Sequence, residues 1–386
     1  MKTLLISEIF PPRTGGSGRW FWEIYRRLSR QTYVIGAGED PRQADFDPAH
    51  DLVVRRLPLT MSQWGLRSRI GLAGYWRALR AIRKVVRDEG IRRVHCGRCL
   101  PEGVMALVMK LVFRIPYLCY VHGEDVNTAR ESRELSWLVH RVLHQARFVI
   151  ANSRNTAELL RGDWRLPADR VRLLYPGVDI HRFIPAARDP AARESLGWGE
   201  RRVIVTVGRL QKRKGHDQMI RALPAIREQI PDVLYCIVGT GEETDYLKSL
   251  VAELKLAEHV QFRGETTDAE LIHCYQQCDL FALPNRQVGQ DIEGFGMVLL
   301  EAQACGRPVL AGASGGTAET MRVPETGRIV NCDSPEPLAQ TVVELLSDAA
   351  LRERMGIAGR EWVAENFAWD ALAQQAELLF DEGTPN

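Results

Sequence analysis

Two glutamates eight positions apart, Glu293 and Glu301, bracket the segment "EGFGMVLLE". Between them Gly294-Phe295-Gly296 interrupts the chain, and the run from Met297 onward has helical character. A helix that starts near Gly296 leaves the amides of Phe295, Gly296 and Met297 without intrahelical acceptors, and its positive dipole end favours an anion there. Glu293, in the loop before the helix, can accept hydrogen bonds from several hydroxyls at once. Glu301, a turn or so along the helix, can take a vicinal diol such as a ribose. Two carboxylates beside anion-binding amides repel most anions. The ligand they suit is hydroxylated at both ends and anionic in the middle, which is the shape of a nucleoside diphosphate sugar.

The cations for such a ligand lie upstream. In "VGRLQKRKG" (207–215) Arg209, Lys212, Arg213 and Lys214 share one loop after a strand-like run. A guanidinium and an ammonium there could neutralise a diphosphate as charge develops on it. Near the start, "PPRTGGSGRW" (11–20) carries Gly15, Gly16 and Gly18 ahead of a helix from about Ser17, so backbone amides could approach a phosphate. A glycine loop alone is as often a plain turn. It is not the dinucleotide fingerprint, since the G-x-G-x-x-G spacing is absent and no acidic residue follows near the end of the second strand. No D-x-D pair stands at a donor-binding strand end, so no metal is expected, and Asp291 is expected only to cap its loop. Of eight cysteines, only Cys96 and Cys99 have pair spacing. With no second pair and with Leu100-Pro101 where a redox motif would open a helix, they read as structural thiols.

The elements that must position these residues alternate. Strand-like runs occur at 2–7, 32–37, 52–57, 92–96, 116–122, 147–153 and 171–177, then at 202–208, 233–239, 259–264, 279–284 and 307–312, with helical periodicity between them, as in 17–30, 101–114 and 132–146. This pattern implies an α/β chain with two doubly wound parallel sheets. Ligands of such sheets bind beyond the carboxyl ends of the strands, where the motifs stand. A length of 386 residues fits two domains. The irregular "PGVDIHRFIPAARDP" (176–190) reads as the hinge, giving domains 1–185 and 186–366, with a C-terminal helix 367–386 returning to the first.

Composition is that of a soluble globular protein, 45% hydrophobic and 26% charged. The opening "MKTLLISEIFPP" lacks the length and cleavage site of a signal peptide. No apolar run reaches the roughly 18 residues of a membrane span. The chain is expected in the cytoplasm. The net charge of +2 hides an asymmetry: residues 1–185 hold 31 Lys/Arg against 18 Asp/Glu, and the remainder is acidic. A basic half points to an anionic surface or substrate. In 64–87, Leu66, Ile70, Ala73, Trp76, Leu79, Ile82 and Val86 recur at helical spacing among Arg69, Arg77, Arg80, Arg83, Lys84 and Arg87. A basic amphipathic helix of this kind either lies on anionic lipid or packs its apolar stripe on the sheet.

Taken together these motifs resemble the retaining GT-B glycosyltransferases of the large family four, end to end. The E-x7-E pattern is met by Glu293 and Glu301, the G-R-L-x-x-x-K-G loop by Gly208-Arg209-Leu210 and Lys214-Gly215. The glycine loop is met by Gly15-Gly16, and the H-G-x-[DE] turn by His122-Gly123-Glu124-Asp125. The "SGGTAET" turn (314–320) and "YPGVD" (175–179) agree. Within the family the chain looks most like phosphatidylinositol mannosyltransferases. The resemblance implies two Rossmann-like domains facing across a cleft, the first binding acceptor and the second the nucleotide sugar. It implies that Arg209 and Lys214 bind the diphosphate with the amides of Gly16 and of residues 295–297, that Glu301 holds the ribose, and that Glu293 and His122 hold the transferred sugar. Arg263 would flank the base through backbone contacts. The implied reaction is metal-independent transfer, with retention, of a hexose, mannose in preference, from a GDP- or UDP-sugar to a lipid-linked or saccharide acceptor. No cofactor and no nucleic acid are implied. An anionic membrane surface, at the inner face of the plasma membrane, is an expected partner. A phosphorylase, a nucleotide-sugar epimerase and a non-catalytic sugar-nucleotide-binding protein of the same fold are the rival readings.

Overall fold

The structure is a computed structural model that describes residues 1–29 and 31–382. Arg30, the last residue of the expected 17–30 helix, and residues 383–386 of the expected C-terminal helix lie outside the described residues. Strands β1 (Thr3–Ser7), β2 (Tyr33–Gly38), β3 (Val53–Leu57), β4 (Arg93–Cys96), β5 (Tyr117–Val121), β6 (Val149–Ala151) and β7 (Val171–Leu173) form one sheet in the order β3-β2-β1-β4-β5-β6-β7. Strands β8 (Arg202–Val207), β9 (Val233–Val238), β10 (Val260–Gly264), β11 (Leu280–Leu283), β12 (Val309–Gly312) and β13 (Gly327–Val330) form a second, in the order β10-β9-β8-β11-β12-β13. Every pairing between these strands is parallel. Helices cover both faces of such sheets, which is why most strands read as unbroken apolar runs.

Strand β13 has no counterpart among the expected strands. It lies at the sheet's edge, paired only with β12 through Val309↔Gly327 to Gly312↔Val330. Its sequence "GRIV" carries a glycine and an arginine, so no apolar run announces it. The first expected helix is shorter than its periodicity suggests, Gly16–Tyr25. The second begins only at Val104, after an irregular turn over Cys99–Gly103 that contains Pro101. All eight cysteines are buried and free, as structural thiols would be.

The chain divides into two compact units, Met1–Pro176 with Trp369–Asn386, and Gly177–Ala368. The boundary falls before residues 177–185, not after them, because they are tied to the second unit. The Val178 amide donates to the Phe367 carbonyl at 2.8 Å, and Arg360 donates to the carbonyls of Ile180 and Phe183. In the first unit the helix Trp369–Asp381 packs on Gly16–Tyr25: Arg27 Nε meets Asp370 Oδ1 at 2.6 Å, and Phe380 stacks on Tyr25 with centroids 5.9 Å apart. That helix carries acidic residues, so by composition the first unit is +9 and the second −7, the same sense as the sequence split but smaller.

The basic segment is a helix, Arg69–Glu89, whose Ser68 cap accepts from the Gly71 amide. Its packed face takes in only part of the stripe: Ile82 is buried and Leu66, Leu79 and Val86 pack against the core, whereas Ile70, Ala73 and Trp76 do not. Gly71, Gly74, Tyr75, Ala78 and Ile82 face inward, while Ile70 and Trp76 are 61% and 65% exposed. The glycines decide this: a Cβ on Gly71 would lie 2.2 Å from the Gly65 carbonyl oxygen, so only a glycine face can approach so closely.

Candidate active site

In the second sheet the strand order reverses between β8 and β11, which pair through Leu280↔Ile204. Ligands of open α/β sheets sit beyond the carboxyl ends of strands at such a point. The loop after β8 carries Arg209 and Lys214; the loop after β11 carries Glu293. Gly215 joins the two. It is left-handed, φ 75°, and a Cβ there would lie 1.8 Å from the Pro284 carbonyl oxygen. The Arg286 amide donates to the Arg213 carbonyl at 2.8 Å, stitching the loops together.

This brings four charges into one cluster, with Arg213, Lys214 and Glu293 buried and Asp291 at its edge. Lys214 Nζ lies 2.6 Å from Glu293 Oε2, and Arg213 Nη1 pairs with the same oxygen. Arg213 Nε lies 3.1 Å from Asp291 Oδ1. Asp291 is therefore a partner of Arg213 and not only a loop cap. Glu293 is 8% exposed. Burial pushes its carboxyl up, but the attractions of Lys214 and Arg213 outweigh that and hold it below its ordinary value. Asp291 goes the other way, raised by burial despite Arg213. Arg213 belongs to the basic loop the sequence singled out, but nothing there shows that it shares Glu293 with Lys214.

The backbone at Glu293 is fixed as well. Its carbonyl accepts from the Gly316 amide at 3.0 Å, and a Cβ on Gly315 would meet that carbonyl oxygen at 1.8 Å. The buried Asn285 holds the same turn, accepting from the Gly312 amide and donating to the Ser314 carbonyl. Gly294 and Phe295 are buried and bring the chain to Gly296, left-handed at φ 92°, which caps the helix Met297–Ala304. The first-turn amides stand where the sequence placed them. Glu301 lies one turn in, half-buried, and its Oε2 accepts from the Tyr275 hydroxyl at 2.6 Å. Nothing in the sequence "LIHCYQQC" distinguishes Tyr275 as a partner of Glu301. Arg209 is exposed, and its guanidinium has no hydrogen bond or ion pair among the described residues. Arg263, on β10, turns its side chain to the Leu196 carbonyl and Glu270.

In the first unit the order reverses between β1 and β4, paired through Thr3↔Arg93 to Ile6↔Cys96. Gly15 and Gly16 follow β1 and open the helix Gly16–Tyr25, which has no side-chain cap. His122 follows β5 and is half-buried, edge-on to Trp20 and Phe21 with centroids 5.6 and 5.9 Å away. Its Nε2 lies 2.7 Å from the Gly97 carbonyl. A carbonyl only accepts, so Nε2 carries the proton, and neutral imidazole then presents Nδ1 as an acceptor. Asp125 Oδ1 accepts from the amides of His122 and Val126, both at 3.0 Å, fixing the turn.

The glycosyl transferases group 1 family matches residues 189–362, and the glycosyltransferase family 4 matches residues 14–182. The chain belongs to this glycosyltransferase family. The enzyme is 34% identical to the GDP-mannose-dependent alpha-(1-6)-phosphatidylinositol monomannoside mannosyltransferase of Mycobacterium tuberculosis, over 96% of each chain. It is 32% identical to the protein of the same description from Mycolicibacterium smegmatis, over 97% of each. Among solved structures, Anabaena HepE in complex with UDP superposes with a TM-score of 0.82, covering 99% of this chain and 100% of that one at 22% identity. That likeness establishes the GT-B fold. The enzyme is a hexosyltransferase.

Proposed function

We propose that the enzyme transfers mannose, with retention and without a divalent cation, from GDP-mannose to an inositol-phosphate glycolipid. The observation that carries the reading is the buried Lys214–Glu293 pair beside an exposed Arg209 and an uncapped helix N-terminus. In this scheme Arg209, Lys214 and the amides of residues 295–297 stabilise the departing nucleoside diphosphate. Cations and dipoles aimed at developing charge lower the barrier because they bind the transition state better than the ground state. Glu293 accepts from the sugar's hydroxyls, Glu301 from the ribose, and His122 Nδ1 from the hydroxyl near the sugar's 6-position. Arg263 borders the base through its backbone. Donor and acceptor identities are supported by the relatives of known specificity; retention and metal independence are supported by the family resemblance.

We further propose that the acceptor is met at an anionic membrane. Among the described residues no helix is long and apolar enough to cross a bilayer. The helix Arg69–Glu89 instead exposes Ile70, Leu72 and Trp76 with Arg69, Arg77, Arg80, Arg83, Lys84 and Arg87. The exposed Leu111, Val112 and Phe113 end the helix Val104–Phe113, and Arg83 lies 5.0 Å from the Phe113 ring centroid. Apolar side chains among arginines match an anionic interface. This supports a peripheral location on the inner face of the plasma membrane.

The test is transfer from labelled GDP-mannose or UDP-glucose to phosphatidylinositol, to its monomannoside and to free inositol phosphate, with and without EDTA. The expected result is an α-mannolipid from GDP-mannose, unaffected by EDTA, with the anomer read by NMR. Transfer only from UDP-glucose, or only to the soluble acceptor, would overturn the donor or the lipid assignment respectively. Conversion of the donor sugar with no acceptor present would mark an epimerase.

A further inference from the structure

We infer that Tyr275 is the positioning residue that aligns Glu301 on the ribose diol, and so sets the enzyme's selectivity for ribonucleotide over deoxyribonucleotide ligands. The inference rests on the assignment of Glu301 to the ribose. Tyr275 stands on the helix Asp268–Gln277 and is fully buried. Its ring is edge-on to Phe183, with centroids 5.7 Å apart at 84°, and packs on Phe281 of β11 at 5.4 Å. The ring is thus held on two sides, and its hydroxyl meets Glu301 Oε2 at 2.6 Å. Burial and the Glu301 charge push the phenol pKa up, so the hydroxyl keeps its proton and acts as donor.

A carboxylate offers about four acceptor positions, and the terminal torsion of a glutamate is broad. A vicinal diol needs two acceptor positions in one fixed plane. A rigid donor on Oε2 fixes that plane, because rotating the carboxylate would break the 2.6 Å bond. Tyr275 faces away from bulk solvent while Glu301 is half-buried, so the tyrosine reaches ligand only through the glutamate.

The experiment measures calorimetric affinities for GDP and UDP and for their 2′,3′-dideoxy counterparts. Wild type should prefer the ribonucleotide by tenfold or more, because a site built to bond a hydroxyl rejects ligands lacking it. Tyr275→Phe keeps the ring and removes only the hydroxyl. Ribonucleotide affinity should fall about tenfold, dideoxy affinity should hold, and selectivity should shrink about tenfold with it. In a Glu301→Gln background, Tyr275→Phe should change selectivity no further. If Tyr275→Phe retains wild-type selectivity, or lowers both affinities equally, the tyrosine only packs and the inference fails while the ribose assignment stands. If wild type itself does not distinguish ribose from dideoxyribose, the assignment of Glu301 falls and takes this inference with it.

Discussion

Replacing Arg213 with methionine keeps an unbranched apolar stem, though a shorter one, and takes one of two positive charges from a largely buried foursome. Lys214 then faces Glu293 alone, and Asp291 loses its 3.1 Å partner. Removing one member of a buried ion pair costs roughly 3–5 kcal/mol when the other charge is left uncompensated. Here Lys214 still neutralises Glu293, so about 2–3 kcal/mol is the expected loss at pH 7. A kcal/mol shifts Tm by about 2–4 °C in a domain of 150–250 residues, so the unit Gly177–Ala368 should melt roughly 4–12 °C lower.

The pH dependence separates this from a packing defect. Glu293 is held below its ordinary pKa in the folded protein. It therefore contributes stability above its unfolded pKa of about 4.3, and that contribution is lost as pH falls through the folded value. Without Arg213 the burial cost remains and one attraction is gone, so the carboxyl moves up and the contribution shrinks. The Tm gap between wild type and Arg213→Met should thus be widest near pH 7 and narrow as pH falls from about 4.3 toward about 3, through the folded value. Scanning calorimetry across that range is the assay. A gap that stays constant with pH would mean that the loss is one of packing, and a gap under about 1 °C at pH 7 would mean that the foursome does not stabilise the fold.

Three further outcomes are expected. Arg209→Ala and Lys214→Ala should each slow turnover about a hundredfold or more, as removal of a transition-state donor does; near-normal kcat in both would remove them from the chemistry. Glu301→Gln should weaken binding of the free nucleoside diphosphate, while Glu293→Gln should spare that affinity and damage transfer; calorimetry showing the reverse would exchange their roles. Replacing Arg77, Arg80, Arg83 and Lys84 with glutamine should remove about 1 kcal/mol of binding to anionic vesicles per charge, and added salt should mimic the change. Vesicle binding that the quadruple variant leaves intact would reduce the helix to a part of the fold.

The fold was legible because parallel strands covered on both faces are mostly apolar, and the twelve strand-like runs read from the sequence coincide with strands in the structure. The edge strand β13 escaped because one flank of it is unpaired and its four residues include Gly327 and Arg328. The basic helix was legible as a helix but not in its orientation. The apolar spacing from Leu66 to Val86 left open whether the stripe packs or meets lipid. Its C-terminal part packs, whereas Ile70, Ala73 and Trp76 stay outside, because close approach to the Gly65 carbonyl turns Gly71 inward, where a side chain has no room. An apolar side chain left outside by that geometry is then available to something other than the core.

At the candidate site, spacing singled out residues that the fold then brings to strand ends and a helix start, and hid their partners. Glu293, Glu301 and Lys214 lie in short local motifs because one strand end, one turn and one helix start fix them relative to backbone amides. Their partners are set by tertiary contact. Glu293 and Lys214 are 79 positions apart, and Tyr275 reaches Glu301 from another helix. Lys214 was legible as a phosphate ligand, yet in the structure its ammonium already has a carboxylate at 2.6 Å. A donor that engages Lys214 through its diphosphate must draw on the same charge that balances Glu293. In the proposed scheme Arg213, whose guanidinium pairs with the same Oε2, would keep Glu293 compensated if Lys214 turned to a phosphate. A buried carboxylate beside an incoming dianion would otherwise oppose the binding that the two cations promote.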